Sequence, residues 1–280
     1  MHKILKKKEL VKDIFELVVQ APLVAKKALP GHFVLVMADE FGERIPLTVA
    51  DFDRQGGTIT LILMAVGTST RKLASLEAGE SLFAFVGPLG HQSEIEDFGT
   101  AVMVAGGVGT APIYPIARAL KEKGNRVVTI QGARSKDLLF WEDKLAAVSD
   151  EHIVTTDDGS YGRKGLVTEP LKEILEADKD KKIGVVYAIG PAIMMKFCSA
   201  TSQPFGVKTI VSLNTIMVDG TGMCGGCRVD VGGKVLFTCV DGPEFDGHQV
   251  DWDLLLKRQK MYVKDERCSL DRYMEEAGVK

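Results

Sequence analysis

The sequence lacks the features of several large classes of protein. No run approaches the roughly 18 consecutive apolar residues of a transmembrane helix, and the charged first 20 residues contain no signal-peptide core. There is no basic excess, since 35 Lys and Arg face 38 Asp and Glu, which argues against a nucleic-acid-binding protein. Five cysteines are too few for a disulfide framework. We therefore expect a cytoplasmic globular protein with neither membrane nor nucleic-acid partners.

The 280 residues divide into three stretches of different pattern. Residues 1–97 contain short apolar runs cut by turn residues, which is typical of a small antiparallel β-barrel. In residues 98–212, apolar strands alternate with helical patterns, and this predicts βαβ units around a parallel nucleotide-binding sheet. Residues 213–280 are rich in Gly and Cys at first and then charged and helix-like. The predicted fold class is α/β plus β, with a barrel, a parallel-sheet domain and a small C-terminal iron–sulfur segment.

The predicted elements can be placed on the sequence. The barrel runs are Ile14–Val19, His32–Val36, Ile59–Leu63 and Ser81–Val86. The parallel strands are Thr100–Ala105, Arg126–Gln131, His152–Thr156 and Val185–Ile189, with helices at Ile113–Lys123 and Leu166–Ala177.

The most specific motif is a glycine-rich loop that holds Asp219, Cys224 and Cys227, with Cys239 following after eleven intervening residues. Plant-type [2Fe–2S] centres use C-x4-C-x2-C and a distant cysteine. Here a carboxylate takes the first position; it carries the charge of a thiolate but is a harder donor. A structural zinc site and a metal-free redox disulfide are the alternatives, and the rest of the chain favours the iron–sulfur cluster. Two other cysteines lie outside the motif, and we expect both to be small buried hydrophobes: Cys198 and Cys268.

Two glycine-rich turns follow predicted parallel strands. Gly107-Val108-Gly109 opens a helix, where backbone N–H groups favour a pyrophosphate, and Gly190-Pro191 ends a later strand. An ordinary strand–helix turn is the alternative for each. Asp157 and Asp158 end the third strand and would repel a 2′-phosphate, whereas Arg134 and Lys136 would attract one. The sequence therefore favours NAD(H) over NADP(H).

Further motifs occur in the same order as in a known superfamily. They are Ile45-Pro46-Leu47-Thr48, Gly67-Thr68-Ser69-Thr70, Gly87-Pro88-Leu89-Gly90, Ala105 to Pro112, Asp157-Asp158-Gly159-Ser160 and Asp241-Gly242-Pro243. Together they resemble the ferredoxin–NADP reductase superfamily over essentially the whole chain. Within it, the chain is similar to the electron-transfer subunit of dihydroorotate dehydrogenase B. It is also similar to the small (alpha) subunit of NADH-dependent reduced ferredoxin:NADP oxidoreductase (sulfide dehydrogenase beta subunit type).

The resemblance implies FAD in the barrel, NAD(H) in the second domain and a [2Fe–2S] cluster near the C-terminus. The implied flavin residues are Arg44, Ile45, Pro46, Leu47, Thr48, Ile62, Leu63, Met64, Gly67, Ser69 and Thr70. The implied nicotinamide-nucleotide residues are Gly107, Val108, Gly109, Thr110, Pro112, Asp157, Gly190 and Pro191. The implied cluster ligands are Asp219, Cys224, Cys227 and Cys239, and an aspartate in the first ligand position is associated with the oxidoreductase branch.

The chain departs from the superfamily at one position of its flavin motif. The superfamily pattern is Arg-x-Tyr-Ser, and alignment on Thr48 puts Ile45 in the arginine position and Leu47 in the tyrosine position. Arg44 lies one residue away from the place where the superfamily has its phosphate-binding arginine. The sequence therefore leaves open whether Arg44 binds a phosphate of the flavin.

The resemblance implies an oxidoreductase that converts two-electron transfer from NADH into one-electron steps. No catalytic side-chain acid or base is required. A partner is expected: a larger subunit with flavin and [4Fe–4S] centres, forming an electron-bifurcating heterodimer that reacts with ferredoxin. The alternative enzyme is dihydroorotate dehydrogenase B, and the non-enzymatic alternative is a zinc-stabilised nucleotide-binding module.

Overall fold

The computed structural model describes residues 2–278, and its first part is an antiparallel sheet that curls into a barrel. Its elements are β1 His2–Val11, β2 Ile14–Gln20, α1 Pro22–Lys27, β3 Phe33–Met37, β4 Ile45–Asp53, β5 Thr58–Met64, α2 Thr68–Ser75, β6 Ser81–Leu82 and β7 Ala84–Leu89. The order of the strands in the sheet is β6-β1-β2-β5-β4-β3-β7. The two edge strands, β6 and β7, are consecutive in the chain and separated only by Phe83, so the sheet curls round until its edges meet. The predicted barrel is confirmed.

The second part is a parallel sheet flanked by helices, as predicted. Its elements are β8 Thr100–Gly106, α3 Thr110–Glu122, β9 Arg126–Ala133, α4 Glu142–Ala147, β10 Glu151–Thr156, β11 Arg163–Lys164, α5 Thr168–Ala177, β12 Ile183–Ile189, α6 Ala192–Ser202 and β13 Lys208–Ser212. All seven residues of β8 are buried, which is why this central strand is a continuous apolar run. The predicted strands and helices are present, with ends shifted by up to three residues.

The order of the parallel sheet creates a ligand-binding position. The order is β11-β10-β9-β8-β12-β13, followed at the edge by β16 (Glu244–Asp246), so the chain builds outward from β8 on one side and then crosses to β12 on the other. Open α/β sheets bind ligands at such a switch point, beyond the carboxyl ends of the strands. Those ends carry the two predicted nucleotide turns, after β8 and after β12.

The C-terminal segment is joined to both other parts. It comprises β14 Arg228–Val231, β15 Lys234–Phe237, α7 Thr238–Asp241, β16 Glu244–Asp246, α8 Trp252–Gln259 and α9 Val263–Glu276. β16 pairs antiparallel with β13 and so extends the nucleotide-binding sheet by one edge strand. Cys198 is buried on α6 as predicted, but the prediction for Cys268 is wrong, because this residue is exposed on α9. No described helix is both long and apolar enough to cross a bilayer.

The barrel and the nucleotide-binding sheet share an apolar interface. Ile14 and Ile62 of the barrel are buried in one cluster with Ala111 of α3 and Phe140. At the edge of this cluster, Arg118 of α3 forms a 2.9 Å ion pair with Asp51 of β4. These contacts hold α3 against β4 and β5, the barrel strands that carry most of the predicted flavin residues.

The half-buried Glu244 of β16 lies where the barrel, the connection between β7 and β8, and the nucleotide-binding sheet meet. Ser93 Oγ donates a 2.6 Å hydrogen bond to Glu244 Oε1, and a Cβ at Gly31 would lie 3.1 Å from the same oxygen. Burial is the main cause that raises the pKa of Glu244 to about 7, with the neighbouring Glu94 adding to it. The neutral carboxyl group is therefore the form that this junction favours.

The raised pKa of Glu244 predicts a pH dependence of stability. The folded protein holds this proton more tightly than the unfolded chain, so the stabilisation is complete at low pH and is lost as the pH rises through about 7. The free energy of unfolding should fall by about 1–3 kcal/mol between about pH 5 and pH 8. Urea unfolding measures this slope, and Glu244→Gln should largely remove it. An unchanged slope in that variant would show that Glu244 is not responsible.

Candidate functional site

The two predicted nucleotide turns touch each other through their backbones. A Cβ at Gly109 would lie 2.0 Å from the carbonyl oxygen of Ile189 and 2.9 Å from the Cα of Gly190. A Cβ at Gly106 would lie 2.3 Å from Met194 Sδ. Glycine is therefore required for the close approach of the turn after β8 to the turn after β12. The structure brings Gly107–Gly109 and Gly190-Pro191 together at the switch point, at the start of α3.

The loops after β9 and β10 form the adjoining side of this site. The backbone N–H of Lys136 donates to Ser160 Oγ at 2.8 Å, which ties the two loops together. The Ser160 hydroxyl is the main cause that lowers the pKa of Asp158, and Ser160 N–H adds to it by donating to Asp158 Oδ1 at 2.9 Å. The exposed carboxylate of Asp157 has no hydrogen bond from any residue that the structure describes. Asp157 can therefore accept hydrogen bonds from a ligand, whereas Asp158 holds its own loop.

The predicted flavin strands face the nucleotide-binding domain. Ile45 to Thr48 of β4 are all half-buried, and this half of the strand pairs with β3 alone, because the register with β5 begins at Val49. On β5, Ile62 belongs to the interface cluster with α3, Leu63 belongs to the barrel core, and Met64 is exposed. Half-buried apolar residues beside a domain interface fit a planar aromatic ligand, because the ligand would complete their burial.

The predicted flavin turn at Gly67–Thr70 begins helix α2. Thr70 Oγ1 accepts hydrogen bonds from Val66 N–H and Gly67 N–H and donates one to the Gly67 carbonyl oxygen. Its hydroxyl thus holds the turn in place. Ser69 Oγ instead donates at 3.3 Å to Glu43 Oε2, an exposed carboxylate. The Ser69 hydroxyl thus donates to an anion at the N-terminus of a helix, and a phosphate group could accept the same hydrogen bond.

The C-terminal helix reaches the same turn, a contact that sequence reasoning missed. Ser269 Oγ of α9 lies 3.1 Å from Thr68 Oγ1, the first residue of α2. Leu270, Tyr273 and Met274 are the half-buried residues of α9. The tail from Asp251 looked like a charged helix in the sequence, and no local signal indicated where it would dock.

The glycine-rich loop brings Asp219 to the backbone of Cys224. Asp219 Oδ1 accepts from Thr221 N–H and Oδ2 accepts from Cys224 N–H, each at 2.7 Å. These backbone bonds are the main cause that lowers the pKa of Asp219. Each carboxylate oxygen keeps a second lone pair, so the bonds leave the group able to ligate a metal ion. The sequence placed Asp219 beside the cysteines, and the structure agrees.

The two cysteines on either side of β14 and β15 meet in the protein interior. Cys227 Sγ and Cys239 Sγ are 3.2 Å apart and both residues are buried. Burial and the neighbouring Cys227 thiol raise the pKa of Cys239. Cys224 is exposed, and its Sγ accepts a 3.4 Å hydrogen bond from Gly226 N–H.

The four predicted ligands lie in one loop region without forming a closed site. Within residues 2–278, no three His, Cys, Asp or Glu side chains converge closely enough to hold a metal ion. The donor set nevertheless fits a [2Fe–2S] cluster: the thiols of Cys227 and Cys239 are adjacent, Cys224 lies three residues before Cys227, and the backbone N–H of Gly226 points at the Cys224 sulfur.

The cysteine loop packs directly on the barrel. Cys227 and Cys239 share an apolar cluster with Phe33 and Leu35 of β3. A Cβ at Gly220, whose φ is +72°, would lie 2.6 Å from Leu35 Cδ1, so only glycine allows this approach. Leu35 pairs with Pro46 of β4, one of the predicted flavin residues. The thiols are thus one strand away from the strand expected to line the flavin, a step of about 5 Å between strands.

A concavity of about 350 Å³ lies between the cysteine loop and the end of β7. It is lined by Pro88, Leu89, Gly90, Gly220, Thr221, Cys239 and Val240. Cys239 therefore borders an opening that barrel residues complete.

A barrel joined to a parallel sheet, with glycine turns at the switch point and a cysteine loop on the barrel wall, defines an oxidoreductase of the ferredoxin reductase fold. A family model for the iron–sulfur cluster binding domain of dihydroorotate dehydrogenase B matches residues 214–251. A second, for the oxidoreductase NAD-binding domain, matches residues 103–200.

Similar proteins cover almost the whole chain. The dihydroorotate dehydrogenase B (NAD(+)) electron transfer subunit homolog of Thermotoga maritima is 48% identical over 278 residues, which is 99% of this chain and 97% of the relative. The electron transfer subunit of Bacillus cereus is 32% identical, with 86% and 94% covered. A chain from a structure of the NADH-dependent reduced ferredoxin-NADP oxidoreductase is 47% identical and superposes with a TM-score of 0.92 over 98% of both chains. The chain belongs to the family of dihydroorotate dehydrogenase B electron-transfer subunits and their homologues.

Proposed function

We propose that the chain is the electron-transfer subunit of an electron-bifurcating NADH-dependent reduced ferredoxin:NADP oxidoreductase. It would pass electrons between NAD(H), FAD and a [2Fe–2S] cluster. The observation that carries the proposal is the packing of the cysteine loop on Leu35, the strand partner of Pro46. This packing supports the proposal because the thiols of Cys227 and Cys239 lie in one cluster with Leu35, next to the strand that we expect to line the flavin. The similarity over 98% of the oxidoreductase chain supports the same function.

The three sites have distinct tasks. When bound, FAD supplies hydride acceptance and one-electron release, and the cluster supplies one-electron acceptance. Gly106, Gly109 and Gly190 leave the switch point without side chains, so that the dinucleotide backbone can approach the first turn of α3. The apolar interface around Ile62 and Ala111 excludes water from the junction between the two domains. The chain's contribution is therefore orientation and exclusion of water, without a side-chain acid or base.

We propose Asp219, Cys224, Cys227 and Cys239 as the cluster ligands, and the sequence-predicted nucleotide and flavin residues as the cofactor contacts. The buried thiol pair and the carboxylate bonded to Cys224 N–H support the ligand set. Asp157 is proposed to meet the nucleotide ribose, and its exposed carboxylate supports NAD(H) rather than NADP(H). The domain limits at residues 97 and 212, like the cytoplasmic location, remain predictions.

A partner subunit is part of the proposal. The relatives are named as electron transfer subunits, which implies a larger complex. We propose a larger subunit with flavin and [4Fe–4S] centres in a heterodimer that reacts with ferredoxin. Dihydroorotate dehydrogenase B is the second candidate, favoured by the family model at residues 214–251. The aspartate in the first ligand position favours the bifurcating enzyme.

Isolation of the native complex through a tag on this chain distinguishes the two candidates. We expect a companion chain with [4Fe–4S] centres and NADP⁺ reduction that requires both NADH and reduced ferredoxin. Dihydroorotate should give no orotate with NAD⁺. Orotate formation, without ferredoxin-dependent NADP⁺ reduction, would establish the dihydroorotate enzyme instead.

A further inference from the structure

The expected phosphate-binding arginine of the flavin motif is absent, and the neighbouring candidate does not replace it. The side chain of Ile45 occupies the arginine position on β4 and packs against the barrel core. Arg44 lies in the turn before β4 and is exposed, as is Glu43. Its guanidinium makes no hydrogen bond or ion pair with the residues that the structure describes. A solvated arginine in a turn is a weak partner for a ligand, because water already satisfies its charge.

Arg71 differs from Arg44 in its burial. It is the fourth residue of α2 and is half-buried. Its Nε atom is fully shielded from solvent and lacks a hydrogen-bond partner among residues 2–278. A shielded guanidinium nitrogen without a partner is costly, since buried charged groups normally have an anionic or hydrogen-bonding partner. Next to it, Lys72 is already paired with Asp39 at 2.9 Å.

The position of Arg71 on α2 determines where its guanidinium can act. Helical side chains lean toward the helix N-terminus, so the Arg71 side chain leans toward the turn at Gly67. The hydroxyls of Thr68 and Thr70 at this turn are bonded to other protein groups, and Ser69 donates to the Glu43 carboxylate. An anion at this turn would meet the Ser69 hydroxyl, the N–H groups of the first turn and the unpaired guanidinium together.

We propose that Arg71, and not Arg44, is the arginine that binds the diphosphate of FAD in this chain. The inference rests on the proposed function, because it presumes that the barrel binds FAD. It adds to that function the residue that supplies the positive charge for the diphosphate: Arg71 in the first turns of α2, in place of an arginine at the position of Ile45 on β4. A guanidinium matches two phosphate oxygens with parallel hydrogen bonds, which lysine cannot do.

Flavin binding to the deflavinated full-length chain tests the proposal through fluorescence titration. FAD carries the diphosphate and riboflavin carries no phosphate, so the two ligands separate phosphate contacts from ring contacts. Arg71→Gln should weaken FAD binding by about ten- to a hundredfold, the loss expected for charge-assisted hydrogen bonds. It should leave riboflavin binding within about twofold and reduce the salt dependence of FAD binding. Arg71→Lys should fall between the wild type and Arg71→Gln.

Arg44→Gln is the matched control and should change FAD affinity by less than about twofold. Three results would overturn the proposal: a larger loss in Arg44→Gln than in Arg71→Gln, an unchanged FAD affinity in Arg71→Gln, or an equal loss for FAD and riboflavin. The last would indicate a structural role, and cluster content and the thermal midpoint of Arg71→Gln would then fall as well. A wild-type chain that binds neither flavin would overturn the proposed function itself, and is distinguishable from these results.

Discussion

Gly109→Ala is expected to abolish NADH-dependent reduction and to destabilise the protein. Its Cβ would lie 2.0 Å from the Ile189 carbonyl oxygen and 2.5 Å from the carbonyl carbon, and backbone atoms cannot rotate away as a side chain can. The turns after β8 and β12 must therefore separate, and the switch point widens. Overpacking of this kind costs about 3 kcal/mol, which corresponds to a fall of about 6–12 °C in the thermal midpoint.

Gly206→Ala is the matched control for Gly109→Ala, because Gly206 is not one of the proposed nucleotide residues. A Cβ at Gly206 meets no atom within 4 Å, so the added methyl group costs only the strain of a φ of +65°. The cost of that conformation is about 1–2 kcal/mol. Circular dichroism melting and flavin bleaching by NADH measure the two effects. A Gly109→Ala protein that melts and reacts like the wild type would contradict the proposed contact between the turns.

Cys227→Ser is expected to remove the [2Fe–2S] cluster and to leave flavin in the barrel. Cys227 is buried 3.2 Å from Cys239, so its loss removes half of the adjacent thiol pair. Serine has the shape of cysteine with a slightly smaller terminal atom, so the apolar cluster with Phe33 and Leu35 should remain packed. Iron content should fall from about two atoms per chain to near zero. Cys268→Ser, at an exposed residue far along the chain, should retain its iron.

Asp219→Cys provides the complementary variant. It supplies the first cysteine of the plant-type spacing, so the cluster should persist with a changed reduction potential and a changed electron paramagnetic resonance spectrum. Unchanged spectra would show that Asp219 only holds the loop through its bonds to Thr221 and Cys224. Full iron content in Cys227→Ser would contradict the ligand set itself.

The sequence predicted most of the architecture because its signals are local. The seven-residue apolar strand before Gly107 and the alternation of strands and helices were sufficient for the parallel sheet. The D-x4-C-x2-C-x11-C spacing was sufficient to bring Asp219 and Cys224 together. Contacts made by residues far apart in the chain carried no such signal. The docking of Ser269 on Thr68 joins positions 201 residues apart, and nothing in either segment indicates the other.

Sequence patterns did not predict the burial of residues whose surroundings are set by distant parts of the chain. Cys268 looked like a buried hydrophobe, but α9 is an exposed helix and the thiol lies on its outer side. The sequence around Arg71 does not indicate a ligand contact, because an arginine in a short polar helix is normally solvated. Only the shielded Nε atom, known from the fold, distinguishes it from Arg44.

Electron paramagnetic resonance of the isolated chain, under anaerobic conditions and after addition of NADH, tests the central claim most directly. If electrons pass from NADH through the flavin to the cysteine loop, the signal of a reduced [2Fe–2S] cluster appears, with bleaching of the flavin absorption. Gly109→Ala should show neither change with NADH. A wild-type chain whose flavin bleaches while its cluster stays oxidised, or which contains no iron, would contradict the account.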